Sequence, residues 1–225
     1  MTRYPEPRVP AHQLTITWQA ASLLLDYPDD TLLARLDLIR RAAAELPPGL
    51  ADPLHATARA LRSVDLPALQ QRYVDTFDNR RRHNLYLTYF AHGDTRRRGV
   101  ALLRFKQTYL RSGFVLDESE LPDHLCVVLE YAATVDRHLG WRLLLDHRAG
   151  LEVLRLALAD AGSAWLGAVQ AITATLPPLA GDEHAAIARL AAEGPPQEEV
   201  GLTPYATPAF DPVALPMPSF PGARR

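Results

Sequence analysis

A chain of 225 residues, 48% hydrophobic and 22% charged, is long enough to bury a substantial core and too apolar to stay disordered throughout. Its formal net charge of −2 argues against a generically basic nucleic-acid binder. One cysteine, Cys126, excludes an internal disulfide framework and a thiolate zinc cluster and fits a reducing compartment.

Residues 1–13 lack the apolar core of a secretory signal and read as a flexible N-terminal arm. Leu14, Trp18, Ala21 and Leu25 then repeat at helical steps until Pro28. Asp29 or Asp30 caps a second helix on Leu33, Leu36, Ile39, Ala43 and Leu46, which Pro47-Pro48-Gly49 ends. Asp52-Pro53 reads as a cap followed by proline in the first helical position, opening a short helix to about Arg62. Asp65 opens the next, with Leu66, Leu69, Tyr73 and Phe77 on one face.

The middle is less regular. Asp78 to His83 is polar, and Leu85 to Phe90 fits either a helical turn or a short strand. His92-Gly93-Asp94-Thr95 reads as a turn with Asp94 capping a helix that runs to a left-handed stop at Gly113. One long helix is expected from Glu120 or Leu121 through Leu125, Val128, Ala132, Val135 and Leu139. Helices on Leu151/Leu154/Leu158 and Trp165/Val169/Ile172/Leu176 follow, broken at Gly162-Ser163, and an Ala-rich helix covers about 182–193. The uncharged stretch 161–181 is too rich in small and polar residues for a membrane span. The fold class is therefore all-α: a single-domain bundle of eight to ten helices over 14–194, followed by a proline-rich, disordered tail at 195–225. Of the 19 prolines, 8 lie between Pro195 and Pro221.

No phosphate loop, dinucleotide fingerprint, helical zinc motif or nucleophile elbow occurs, so no catalytic residue, metal or cofactor is assigned. Cys126 sits in an apolar helical pattern and reads as a buried thiol. Residues 73–124 instead concentrate aromatics, acids and a basic run. Between Arg80 and Arg111 stand nine Arg or Lys and one acid, Asp94, a local charge of +8. Taken singly, these residues read as solvated charges and core aromatics; together they read as a docking surface for something anionic or peptidic. Asp123-His124 fits either a dipole-stabilised helix start with a surface histidine, or a pair presenting hydrogen-bonding groups to a ligand.

Three of these segments carry a resemblance. Tyr73-Val-Asp-Thr-Phe-Asp78, Tyr89-Phe-Ala-His-Gly-Asp-Thr-Arg-Arg-Arg-Gly99 and Glu120-Leu-Pro-Asp-His124 resemble the signature blocks of the NarJ family, the assembly chaperones of membrane-bound respiratory nitrate reductase, grouped with the TorD and DmsD chaperones of molybdenum enzymes. Leu24-Leu25-Asp26-Tyr27-Pro28 resembles the family's opening helix, and the likeness covers about residues 14–190. It implies an all-α, cytoplasmic, non-enzymatic chaperone. Such a chaperone binds the apo catalytic subunit of nitrate reductase through an N-terminal segment and supports molybdenum cofactor insertion before membrane docking. The charge balance and the lack of a strongly apolar stretch predict no nucleic-acid partner and no membrane insertion, and a transient contact with the molybdenum cofactor machinery stays open.

The client-peptide residues expected from the resemblance are Tyr73, Phe77, Asp78, Tyr89, His92, Asp94, Glu120, Pro122, Asp123 and His124. An amphipathic leader helix would lay its apolar face on Tyr73, Phe77 and Tyr89, with its arginines meeting Asp78, Asp94, Glu120 and Asp123. On this reading Asp123→Ala or Phe77→Ala weakens binding without unfolding. Two other classes stand beside it: a helical regulatory adaptor using the arginine patch on nucleic acid or another partner, and a nucleotide hydrolase, which no phosphate loop supports.

Overall fold

The computed structural model describes residues 4–117, 120–179 and 181–196. Among them the chain is all-α, with no strand beyond an isolated antiparallel bridge between Tyr86 and His124. In chain order the helices are α1 Ala11–Leu25, α2 Asp30–Ala43, α3 Pro48–Arg62, α4 Leu66–Phe77, α5 Tyr89–His92, α6 Arg96–Arg111, α7 Leu125–Thr134, α8 Arg137–Asp146, α9 Arg148–Asp160, α10 Leu166–Thr175 and α11 Gly181–Glu193, with a 3-10 turn at Arg81–His83. The eleven α-helices among the described residues exceed the eight to ten expected, because 120–146 holds two helices rather than one long one and because α5 is a single extra turn.

Aspartate and proline set many of the boundaries, as the composition suggests. Asp29 accepts from the Leu32 N–H at 2.7 Å and Asp65 from the Ala68 N–H at 3.0 Å. Two expected caps move. Pro48, not Pro53, takes the first position of α3, where its missing N–H costs nothing, and Pro53 lies inside the helix. Thr95, not Asp94, precedes α6, and Asp94 instead pairs with Arg98 one turn on. Gly113 has φ +73° and ends the α6 turn in the left-handed region, as expected.

α1 is the central rod and packs against α7, α10, α2 and α3. Leu14, Trp18, Ala21 and Leu25 are all buried, each leucine of this kind contributing about 1.5–3 kcal/mol by leaving water. Two polar groups of the helix find partners on neighbouring elements: Trp18 Nε1 donates to Thr175 Oγ1 at 3.1 Å, and Ser22 Oγ donates to the Cys126 carbonyl at 3.0 Å, whereas Thr17 Oγ1 is buried without a partner among the described residues. Cys126 is buried, and burial pushes its thiol well above the ordinary range. α10 approaches α3 closely because residue 167 is glycine: a Cβ there would stand 2.1 Å from the Pro53 carbonyl oxygen. Beside it, the Ala168 N–H donates to Thr57 Oγ1 at 3.0 Å.

The arm expected to be flexible over 1–13 is held from Tyr4 onward and is helical from Ala11. Tyr4 Oη donates to Asp146 Oδ1 at 2.5 Å, Arg142 lies over the Tyr4 ring, and Trp141 Nε1 donates to the Pro5 carbonyl at 3.0 Å. The sequence offers no apolar period there because the attachment comes from side chains of α8, more than 130 positions away. No helix among the described residues is long and apolar enough to cross a membrane. Of the proline-rich tail, residues 197–225 lie outside the described residues.

Candidate functional site

The expected helix over 120–139 does not begin at Glu120. Residues 121–125 run beside 85–88 instead: the Leu87 N–H donates to the Asp123 carbonyl at 3.0 Å, and the Leu125 N–H to the Leu85 carbonyl at 2.8 Å. This short pairing brings the second and third blocks together. Asp123 is therefore not a helix-start carboxylate, and His124 is not a surface residue; both are buried. α7 ends at Thr134, and Asp136, in extended backbone, caps α8 through the Leu139 N–H at 2.8 Å.

Two polar clusters flank the bridge. In the first, Asp123 Oδ2 accepts from the Thr88 N–H at 3.1 Å and from Thr88 Oγ1 at 2.5 Å, with Arg98 Nη2 at 3.8 Å. Arg98 also reaches Asp94 at 3.3 Å and lies 5.2 Å and 5.8 Å from the centroids of the Tyr86 and Tyr89 rings. Asp123 Oδ1 and Arg98 Nη2 are buried without a hydrogen-bond partner among the described residues. In the second cluster, Tyr86 Oη donates to Glu120 Oε1 at 3.0 Å, and the Tyr86 ring meets His124 edge-on at 5.1 Å. Burial, reinforced by the bond to Glu120, pushes the Tyr86 hydroxyl up to about 12. Pro122 contributes its carbonyl, which accepts from Tyr109 Oη at 2.6 Å.

Tyr73 and Phe77 form a floor beside these clusters. Their rings are 4.7 Å apart, and both pack against Trp165, at 5.5 Å and 5.3 Å. Tyr73 Oη donates to the Leu25 carbonyl at 3.0 Å. Above Tyr73 stands Tyr27, edge-on at 5.4 Å and 48% exposed. Burial raises the Tyr73 hydroxyl, with Asp26 and Glu120 among the charges that add to the effect; burial lowers His124, with Glu120 and Asp26 opposing. The charges of Asp26 and Glu120 thus act on both Tyr73 and His124.

The ten expected residues separate by role. Tyr73, Phe77, Tyr89, Pro122, Asp123 and His124 are buried, so they shape the site from within; Asp78 and Asp94 are exposed and Glu120 is partly so. His92 is partly buried, and its charge is a minor influence that opposes protonation of His147. Tyr27, Asp26, Thr88, Arg98 and Trp165 are neighbours the sequence reading did not place there. Asp26-Tyr27 lies inside the block Leu24–Pro28, so the resemblance held a signal for it; Thr88 and Trp165 had none.

His83, His124 and His147 all have their pKa lowered from 6.5, each chiefly by burial. The unfolded chain binds these protons more readily than the folded one. Their contribution is therefore complete above the ordinary histidine value and lost as pH falls through and below it. The urea midpoint is expected to drop between about pH 7 and about pH 5. A midpoint that stays level over that range would show that the three rings protonate freely in the fold.

The crystal structure of a protein assigned as a redox enzyme maturation protein of Archaeoglobus fulgidus aligns with 76% of this chain and 94% of its own, at a TM-score of 0.52 and 25% identity. The helical architecture is thus that of a redox enzyme maturation protein. A family profile described as nitrate reductase delta subunit matches residues 43–171, more than half of the chain. The chain belongs to the nitrate reductase delta subunit family. The nitrate reductase-like protein NarX of Mycobacterium tuberculosis is 42% identical over 160 residues, 71% of this chain and 24% of NarX. NarJ of Bacillus subtilis, by name a nitrate reductase molybdenum cofactor assembly chaperone, is 39% identical over 122 residues, 54% of this chain and 66% of that one. The chain therefore spans less than two thirds of either relative.

Proposed function

We propose that this chain is a cytoplasmic, non-enzymatic chaperone for assembly of a nitrate reductase. It binds the apo catalytic subunit through an N-terminal segment and holds it competent for molybdenum cofactor insertion before the subunit docks at the membrane. The helical domain over 14–194 carries this role. The observation behind the reading is Tyr27, 48% exposed and edge-on over Tyr73 of the aromatic floor, on which the charges of Asp26 and Glu120 both act; Leu121, 40% exposed, adjoins Glu120. An amphipathic basic helix suits that surface: apolar residues cover Tyr27 and Leu121, and arginines reach the carboxylates. Asp78 and Asp94 extend the acidic rim, while Tyr73, Phe77, Asp123 and His124 hold its shape. Family membership and the chaperone name carried by NarJ support the same reading.

The test is fluorescence anisotropy with a labelled peptide from the N-terminus of the client catalytic subunit. Tyr27→Ala and Glu120→Gln are each expected to weaken binding about tenfold, about 1.4 kcal/mol, with the melting temperature unchanged. Binding also weakens with added salt. Absence of a complex with both the peptide and the apo subunit would sink the reading.

A further inference from the structure

α6 has two seams, and the fold uses only one. Ala101, Phe105 and Tyr109 face inward: Tyr109 packs 4.6 Å from Tyr131, and Phe105 lies 5.1 Å from His147. On the opposite side Val100, Leu103, Gln107 and Leu110 follow one another at steps of three, four and three, the spacing of a coiled-coil seam. Val100 is 57% exposed, Leu103 54% and Leu110 62%. This is three aliphatic side chains in a row on one helix face, with no element of the described fold over them.

The edges of the seam carry one sign of charge. Arg97, Arg104 and Arg111 recur every seven residues along one edge, and Lys106 stands on the other; all four are exposed. The helix contains no Asp or Glu. Arg98 is the exception among its cations, since it turns inward to Asp94 and Asp123. The arrangement also has a local cost. Arg97 stands in the first turn, where the helix dipole disfavours a cation by about 0.3–1 kcal/mol, and neither an acid of that turn nor a side-chain cap offsets it. The helix dipole gives no reason to keep an arginine at position 97.

We infer that the outer face of α6 is a docking seam for an acidic amphipathic helix of a partner protein. The partner helix would carry aliphatic residues at three-and-four spacing and Asp or Glu at the flanking positions. Charge complementarity selects this occupant. A second copy of the chain would set cations against cations along both edges. A lipid surface calls for an apolar face at least about 100° wide, and here arginine closes in at one edge while Gln107 interrupts the apolar row. The seam is distinct from the surface at Tyr27 and Glu120 and opposite to it in charge, so it does not depend on the proposed function: a basic leader segment suits the acidic surface and is repelled here.

The test uses the full chain and two designed three-heptad peptides, both with leucine at the seam positions, one with glutamate and the other with lysine at the flanks. In fluorescence anisotropy the glutamate peptide is expected to bind at least about tenfold more tightly than the lysine peptide, with affinity falling as salt rises. Leu103→Ser with Leu110→Ser should abolish binding. Arg104→Glu with Arg111→Glu should lose the glutamate peptide and gain the lysine peptide, a gain that a misfolded variant cannot give; circular dichroism checks that both double variants stay helical. The inference is overturned if neither peptide binds, if both bind alike, or if the leucine variant binds as the wild type does. It is equally overturned if the chain ignores both peptides but sediments with phosphatidylglycerol vesicles.

Discussion

Asp123→Ala is expected to cost about 3–5 kcal/mol of folding stability, the range for removing one partner of a buried charged pair. Asp123 is fully buried, and its Oδ2 is the acceptor for both the N–H and the hydroxyl of Thr88, itself fully buried. Deleting the carboxylate strands those two donors and removes the charge beside Arg98 Nη2. Arg98 retains the exposed Asp94 as a partner, which places the loss toward the lower end of the range. Asp123→Asn keeps an acceptor for Thr88 through its amide oxygen and should cost less. Urea denaturation reads both variants, as a shift in midpoint at constant slope. An alanine variant within about 0.5 kcal/mol of the wild type would contradict this account.

Phe77→Ala should cost a similar amount, about 3–5 kcal/mol, for a different reason. Its ring is buried between Tyr73 and Trp165, so truncation opens a cavity beneath the aromatic floor. The neighbouring Tyr27, nearly half exposed, leaves no cavity when truncated. The pair therefore separates shape from contact. Tyr27→Ala should lose peptide binding and keep its melting temperature, whereas Phe77→Ala should lose both. The sequence-based expectation that Phe77→Ala and Asp123→Ala weaken binding without unfolding does not survive their burial. Loss of binding in either variant would report a damaged fold before it reported a lost contact.

The reason lies in what a motif records. The blocks Tyr73–Asp78, Tyr89–Gly99 and Glu120–His124 identify the family whether their side chains face a ligand or the interior. Phe77 and Asp123 are legible as members of a block, yet a sequence does not say which side of the surface they occupy. Asp26 and Tyr27 show the converse. They sit inside the quoted block Leu24–Pro28, but their place beside Tyr73 depends on how α1 meets α4, and no local spacing encodes that.

Helix type and most boundaries follow from the sequence by itself, because each rests on interactions within a few residues: Asp29 and Asp65 as caps, Pro28 as a stop, Gly113 in the left-handed region, Leu14 to Leu25 as a buried stripe. The all-α class and the family were determined at that level. The tertiary structure decided what long-range contacts control. Thr88 and Leu85 draw 121–125 out of the helical pattern into a bridge, and α8 holds the arm at Tyr4 and Pro5. The net charge of −2 conceals a helix with only cations along its open edges. Local spacing specifies a helix; only packing specifies which of its faces is spent, and on α6 that leaves the seam of Val100, Leu103 and Leu110 open.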